Sequence, residues 1–298
     1  MSNISIFCKS YRNDLERAVV MAESVRRFNR DALPFCISVP KGDLDLFKSR
    51  IGTEGVTWLA DEDIISTNPA IDINAYLTLP GLIAQQVVKA EFWRVNPCEN
   101  CVCIDSDSRF IRDFFAHDFL SAEGHPYTIL HEGKPFLVFC LATGIQETEL
   151  YFEAMSNEMR ACFGRQGPSY SYNPFPVIWS NKVWRALLAK LEEEGISMLD
   201  AIVAHPYESS WYGEALLKYR PIPLLPKEPI FKAYLYLEEY EHDRKLGIDE
   251  SMLAQFYLGV VYQSNWYPKR LQPLKRIAYK IKRQMQRYRK KAVKSSMP

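Results

Sequence analysis

Short apolar runs alternate with helical repeats over the first hundred positions. Ile4 to Cys8, Phe35 to Val39 and Val56 to Leu59 are mostly apolar stretches bounded by polar turns, and runs of that length read as buried strands. Between the first two, Leu15, Ala18, Val19, Ala22 and Val25 recur at the spacing of one helix face, and Leu44 to Ile51 supplies a shorter helical stretch before the third. Strands alternating with helices predict βαβ units with right-handed crossovers and a largely parallel, Rossmann-like sheet.

A polar segment from Ile64 to Leu79 leads to Pro80-Gly81, which opens a helix running toward Arg94 with Leu82, Ile83, Val87 and Ala90 apolar. Gln85 and Lys89 are four apart and share a different face. That face is either solvated or turned into a crevice beside the next strand. Beyond it the pattern loosens. Pro126 to Leu130 and Pro135 to Cys140 read as strands, while Glu147 to Cys162, Asn181 to Glu193 and Trp211 to Tyr219 carry helical periods. The segment Gly164 to Trp179 is rich in Pro, Gly, Ser, Tyr and Asn, a composition typical of loops that hold binding residues or pack on a surface. Prolines at 206, 221, 223, 226 and 229 mark an extended connection, and Lys232 with Tyr234 and Tyr236 forms a closing strand.

The run Cys101 to Ser108, CVCIDSDS, changes the picture. An apolar strand ends there in Asp105-Ser106-Asp107, and ligands of open parallel sheets bind outside the carboxyl ends of the strands. Two carboxylates one residue apart suit Mg²⁺ or Mn²⁺ that keeps positions open for substrate phosphate oxygens. Asp43-Leu44-Asp45 and Asp61-Glu62-Asp63 have the same spacing, but the first pair opens a helix and the second flanks a polar turn. Acids at such places favour the helix macrodipole and need no metal.

Composition adds limits. A chain of 298 residues, 47% hydrophobic, buries a substantial core and is not disordered. No apolar run is long enough to span a bilayer, and the N-terminus lacks a charged-then-apolar signal segment, so a cytoplasmic location is expected. Seven cysteines, mostly within apolar stretches, predict reduced buried thiols. Cys98, Cys101 and Cys103 have no second cluster at metal-site spacing, which argues against zinc. The net charge of +1 conceals a division: residues 269–298 hold twelve Lys or Arg and no acid, leaving about −11 on the body.

Several short motifs, in order, resemble nucleotide-sugar-dependent glycosyltransferases of the GT-A fold, and within them a bacterial family of unknown function, DUF6492. They are Lys9-Ser10-Tyr11 with Asp14-Leu15-Glu16-Arg17, Gln85-Gln86-Val87-Val88-Lys89, Asp105-Ser106-Asp107-Ser108, Pro176-Val177-Ile178-Trp179-Ser180, Glu208 through Tyr212-Gly213, and Gln263-Ser264-Asn265-Trp266. The resemblance covers most of residues 4 to 266 and implies one GT-A domain, 1–268, followed by a basic tail, 269–298. It implies transfer of a sugar from a nucleoside diphosphate donor to the hydroxyl of a saccharide or lipid-linked saccharide, in bacterial surface polysaccharide or lipopolysaccharide synthesis. Mn²⁺ or Mg²⁺ on Asp105 and Asp107 would hold the diphosphate and act on the departing phosphate. Lys9, Ser10 and Tyr11 end the first strand and offer a cation, a hydroxyl and an aromatic face to a nucleotide; Ser106, Gln85 and Lys89 flank the acids. Glu208 corresponds to the family's acidic residue before Tyr-Gly and would serve as base, with Glu214 as the nearby substitute, although Tyr207 and Ser209 depart from the family's neighbours there. Lys232 would meet the diphosphate late in the chain; Arg12, His131 and His205 are accessory candidates.

In the tail, Leu274, Ala278, Ile281, Met285, Tyr288 and Ala292 are spaced four, three, four, three, four, with cations between them. Such a helix lies on an anionic membrane surface, packs on a partner helix, or stays solvated. Two other functions share features of the chain. A metal-dependent nucleotidyltransferase also uses Asp-x-Asp and would release pyrophosphate from a nucleoside triphosphate. A nucleic-acid-binding protein would work through the tail, but the acidic body and the lack of an interleaved aromatic and basic sheet motif count against nucleic acid.

Overall fold

Strand β1 (Ile4–Lys9) is buried at all six positions, the pattern expected of a central strand covered on both faces. The computed structural model describes residues 3–143, 146–172 and 176–263. After β1 come α1 (Leu15–Phe28), β2 (Phe35–Val39), α2 (Leu44–Ile51), β3 (Thr57–Ala60), α3 (Asp61–Ile65), α4 (Ile73–Leu77), α5 (Gly81–Glu91) and β4 (Asn100–Asp105). The second half contains β5 (Ser108–Phe110), β6 (Thr128–Ile129), α6 (Lys134–Thr143), α7 (Gln146–Cys162), β7 (Val177–Ser180), α8 (Asn181–Glu193), α9 (Met198–Ala204) and α10 (Glu208–Tyr219). It continues with β8 (Pro226–Lys227), β9 (Phe231–Tyr234), α11 (Leu237–Lys245), α12 (Glu250–Leu253) and β10 (Gly259–Tyr262).

The main sheet has the order β3-β2-β1-β4-β7. Its first four strands are parallel and β7 runs antiparallel to β4. This is the mainly parallel α/β sheet flanked by helices that the alternating pattern predicts, made mixed by the antiparallel β7. Alternation along β4 sends Cys101 and Cys103 into the core beneath α5, α8 and α10, and Val102 and Ile104 into the core beneath α1 and α2. Register then sets the ligand edge: Lys9 lies opposite Ser38 on β2 and Asp105 on β4.

A smaller sheet, β5-β10-β9, continues directly from the acids, with β10 antiparallel to β5 and parallel to β9. The pair β6 and β8 lies apart from it. Residues Pro135 to Cys140 are helical, contrary to the strand reading. A continuous apolar run does not distinguish strand from helix; here Gly133 turns the chain at positive φ, and Pro135 falls in the first helical turn, where its missing N–H costs nothing. Tyr236 likewise leaves the closing strand and caps α11. Among the described residues no helix is long and apolar enough to cross a membrane. The basic tail, residues 269–298, lies outside the described residues, as do Ser264, Asn265 and Trp266.

Candidate active site

Lys9 ends β1 with its ammonium buried, 2.9 Å from Asp61 Oδ2 and donating to the Ser10 carbonyl at 2.5 Å. Asp61 opens α3 immediately after β3, so it stands at the same carboxyl edge. The polar-turn reading of Asp61 is therefore corrected: its side chain is buried and ion-paired. Burial pushes its carboxyl from 3.8 up to about 6, while Lys9 pulls it down. A desolvated ion pair is costly relative to apolar packing, and its placement at the carboxyl edge of the sheet makes Asp61 a candidate functional residue.

Lys89 forms the second buried cation. Ile83, Val87 and Ala90 of α5 enter the core, and the same helix turns Lys89 toward β4. Its ammonium donates to Asp105 Oδ1 at 2.6 Å and lies 3.3 Å from Glu208 Oε1. Burial alone would lower its pKa, but Asp105 and Glu208 together raise it, keeping it charged. The crevice-facing reading of Lys89 is thus the one observed. The end of α5 is fixed by buried Glu91, which accepts from Asn68 Nδ2 and Arg94 Nε, and by Phe92 stacked on Phe7 of β1.

Glu208 is the first residue of α10, where the helix dipole favours an acid. It is 6% exposed, and burial raises its carboxyl pKa, with Lys89 opposing and Asp105 reinforcing. Tyr212, one turn on, accepts a 2.7 Å hydrogen bond from the Ser180 amide at the end of β7 and so ties α10 to the sheet. Asp105 keeps about a third (34%) of its side chain exposed. Asp107 lies where the two sheets meet, its carbonyl accepting from the Tyr262 amide at 2.9 Å. Beneath them the buried Cys8 thiol, raised first by desolvation, feels Asp105, Lys89, Lys9 and Asp107. Lys9, Asp105 and Lys89 therefore meet at the carboxyl end of β1 and β4.

The other sequence candidates are distributed around this centre. Ser10 and Ser106 are buried beside Lys9 and between the acids, Tyr11 is exposed, and Gln85 is half-buried on α5. Arg12 pairs with Asp43. Lys232 is 3.2 Å from Asp243 of α11 and lies over the Tyr234 ring. Glu214 is held by Arg165 at 2.5 and 2.9 Å and by the Tyr172 hydroxyl at 2.9 Å. It anchors the loop after α7. His131 accepts from the Gly133 amide, and His205 faces Cys162 and Glu158.

The family model for DUF6492, a family of unknown function, matches residues 3–267. The chain belongs to DUF6492. No curated protein sequence matches it. The structure of mouse xyloside xylosyltransferase 1 in its apo form is similar with a TM-score of 0.48 at 10% identity, over 89% of this chain and 99% of that one. The galactosyltransferase LgtC, in complex with donor and acceptor sugar analogs, is similar with a TM-score of 0.44 at 12% identity, over 89% and 90%.

Among the described residues of this DUF6492 member, no three His, Cys, Asp or Glu side chains converge as a self-sufficient metal site. Asp105 and Asp107 offer two hard oxygen donors, a set that fits Mg²⁺ or Mn²⁺ completed by substrate phosphates rather than a closed zinc centre. The partial exposure of Asp105 beside a buried ammonium is compatible with that role. Asp61 is the functional candidate that sequence reading passed over. Its signal was present: like Asp105, it directly follows an apolar strand in a parallel sheet.

Proposed function

We propose that this chain is a GT-A glycosyltransferase that moves a sugar from a nucleoside diphosphate donor to an acceptor hydroxyl at the carboxyl edge of β1 and β4. The observation that carries the reading is Lys89, an enclosed ammonium held between Asp105 and Glu208. Glycosyl departure leaves charge on a phosphate, and a fixed cation in a dry site stabilises such charge without solvent reorganisation. Lys89 also orients Asp105 through the 2.6 Å hydrogen bond it donates. Lys9, anchored by Asp61, adds a second fixed positive charge, and Ser10, Tyr11, Gln85 and Ser106 line the same edge for the donor. A divalent ion bound with the donor on Asp105 and Asp107 would supply Lewis-acid charge to the leaving phosphate.

Glu208 is the proposed base for the acceptor proton. Desolvation raises its carboxyl pKa, the direction that makes a carboxylate a better proton acceptor. Both Glu214 oxygens are engaged by Arg165 and Tyr172, which favours Glu208 of the two. The acceptor is a saccharide or lipid-linked saccharide of a bacterial surface polysaccharide or lipopolysaccharide, and the basic segment 269–298 would hold the enzyme on the inner face of the cytoplasmic membrane. A calorimetric panel of UDP-, GDP- and CDP-sugars with and without Mn²⁺ tests the core of this proposal. One donor class is expected to bind only with the ion, and Asp107→Ala is expected to abolish that binding. Donor binding that is independent of metal and survives the substitution overturns it.

A further inference from the structure

Helix α6 is apolar on its outward side. Every residue from Pro135 to Ala142 is apolar, and Val138 and Leu141 are 63% and 55% exposed, with Ala142 exposed beside them. A surface helix of a water-soluble domain ordinarily turns charged or polar residues outward. Here charge is confined to Lys134, the first residue of the helix.

The position of α6 gives this face a direction. The Phe139 ring lies 5.5 Å from Tyr236, just beyond β9, and Leu237 next to it is 40% exposed. β9 pairs with β10, whose Tyr262 amide bonds to the Asp107 carbonyl. The open apolar helix is thus linked through two strands to the acids. The described chain ends at Gln263, whose amide donates to the Tyr234 carbonyl, two residues before Tyr236. The twelve-cation, acid-free segment 269–298 starts six residues further on. The described chain therefore ends close to the apolar helix, and the polybasic segment follows within a few residues in the sequence.

We infer that α6 is a membrane-seating element: it lies in the headgroup layer of an anionic bilayer, with Val138 and Leu141 at the acyl boundary. The segment 269–298 supplies the electrostatic half of the attachment. A single modest apolar signal gives marginal, reversible binding, whereas an apolar signal joined to a polybasic one gives stable attachment. The inference stands on exposure and charge and does not depend on glycosyl transfer.

The test is flotation of the full chain with phosphatidylcholine vesicles carrying or lacking phosphatidylglycerol, at low and high salt. The full chain is expected to float with the anionic vesicles. High salt removes only the electrostatic part, and Val138→Asp/Leu141→Asp is expected to lower the remaining partition by about tenfold or more with unchanged thermal unfolding. The single variant Leu141→Ser, expected to lower it by a smaller factor, keeps the test open should the double variant fold poorly. Absence of vesicle binding by the full chain overturns the inference, as does equal partition of all variants. A solution dimer that Val138→Asp/Leu141→Asp dissociates also overturns it, assigning the face to a second copy. Donor binding measured on the same samples reports separately on the proposed function.

Discussion

Lys89 and Asp61 are buried charges whose electrostatic consequences can be measured singly. Substituting Lys89 by Met leaves Glu208 buried without its cation, and breaking a buried pair from one side costs about 3 kcal/mol. Urea unfolding of Lys89→Met is expected to show a loss of that size together with loss of donor binding. Asp61 behaves in the opposite sense to a salt-bridged surface acid. Its folded pKa of about 6 lies above the ordinary 3.8, so the folded chain holds a proton that the unfolded chain has released between those values. Its contribution to stability is full below pH 3.8 and is lost as pH rises through about 6. Asp61→Asn is therefore expected to flatten this part of the pH dependence, seen as a smaller difference in unfolding free energy between pH 4 and pH 7 than in the parent chain.

At the scale of elements, α10 and the loop after α7 are fitted to each other at Gly213. A Cβ there would fall within the Tyr172 ring, whose hydroxyl holds Glu214. Gly213→Ala is expected to destabilise by about 1–3 kcal/mol, as overpacking does; limited proteolysis should then cleave the loop around Arg165 faster. The elements themselves were legible to different degrees. β1, β2 and β4 announced themselves because both faces are buried, and α1, α5 and α8 because one face is. α6 did not, because an unbroken apolar run has no period to read, and its exposed side removes the polar face that would have supplied one. The candidate site residues follow the same division. Lys89 was legible from its face on α5 and Asp105 from its strand end, but the Asp61 partnership needs the β1, β2 and β3 register, which brings distant residues together. The Glu214 clamp was equally hidden, since Arg165 and Tyr172 lie in a loop without periodicity.

For the molecule as a whole, the proposed function makes stability depend on ligand. A donor that completes the site binds only the native state, and at one hundred times its dissociation constant it adds about 2.7 kcal/mol to stability. Thermal unfolding with the matching donor and Mn²⁺ is expected to shift upward accordingly, while Asp107→Ala should show no shift. The link between Tyr262 and Asp107 has a mechanical corollary. The last described strand holds the backbone of one acid through the Tyr262 amide, so on the proposed function a pull on the chain beyond Gln263 would reach the proposed donor site. Tethering the protein by its carboxyl end, on a sensor chip or a bead, is therefore expected to change donor affinity relative to tethering by the amino end.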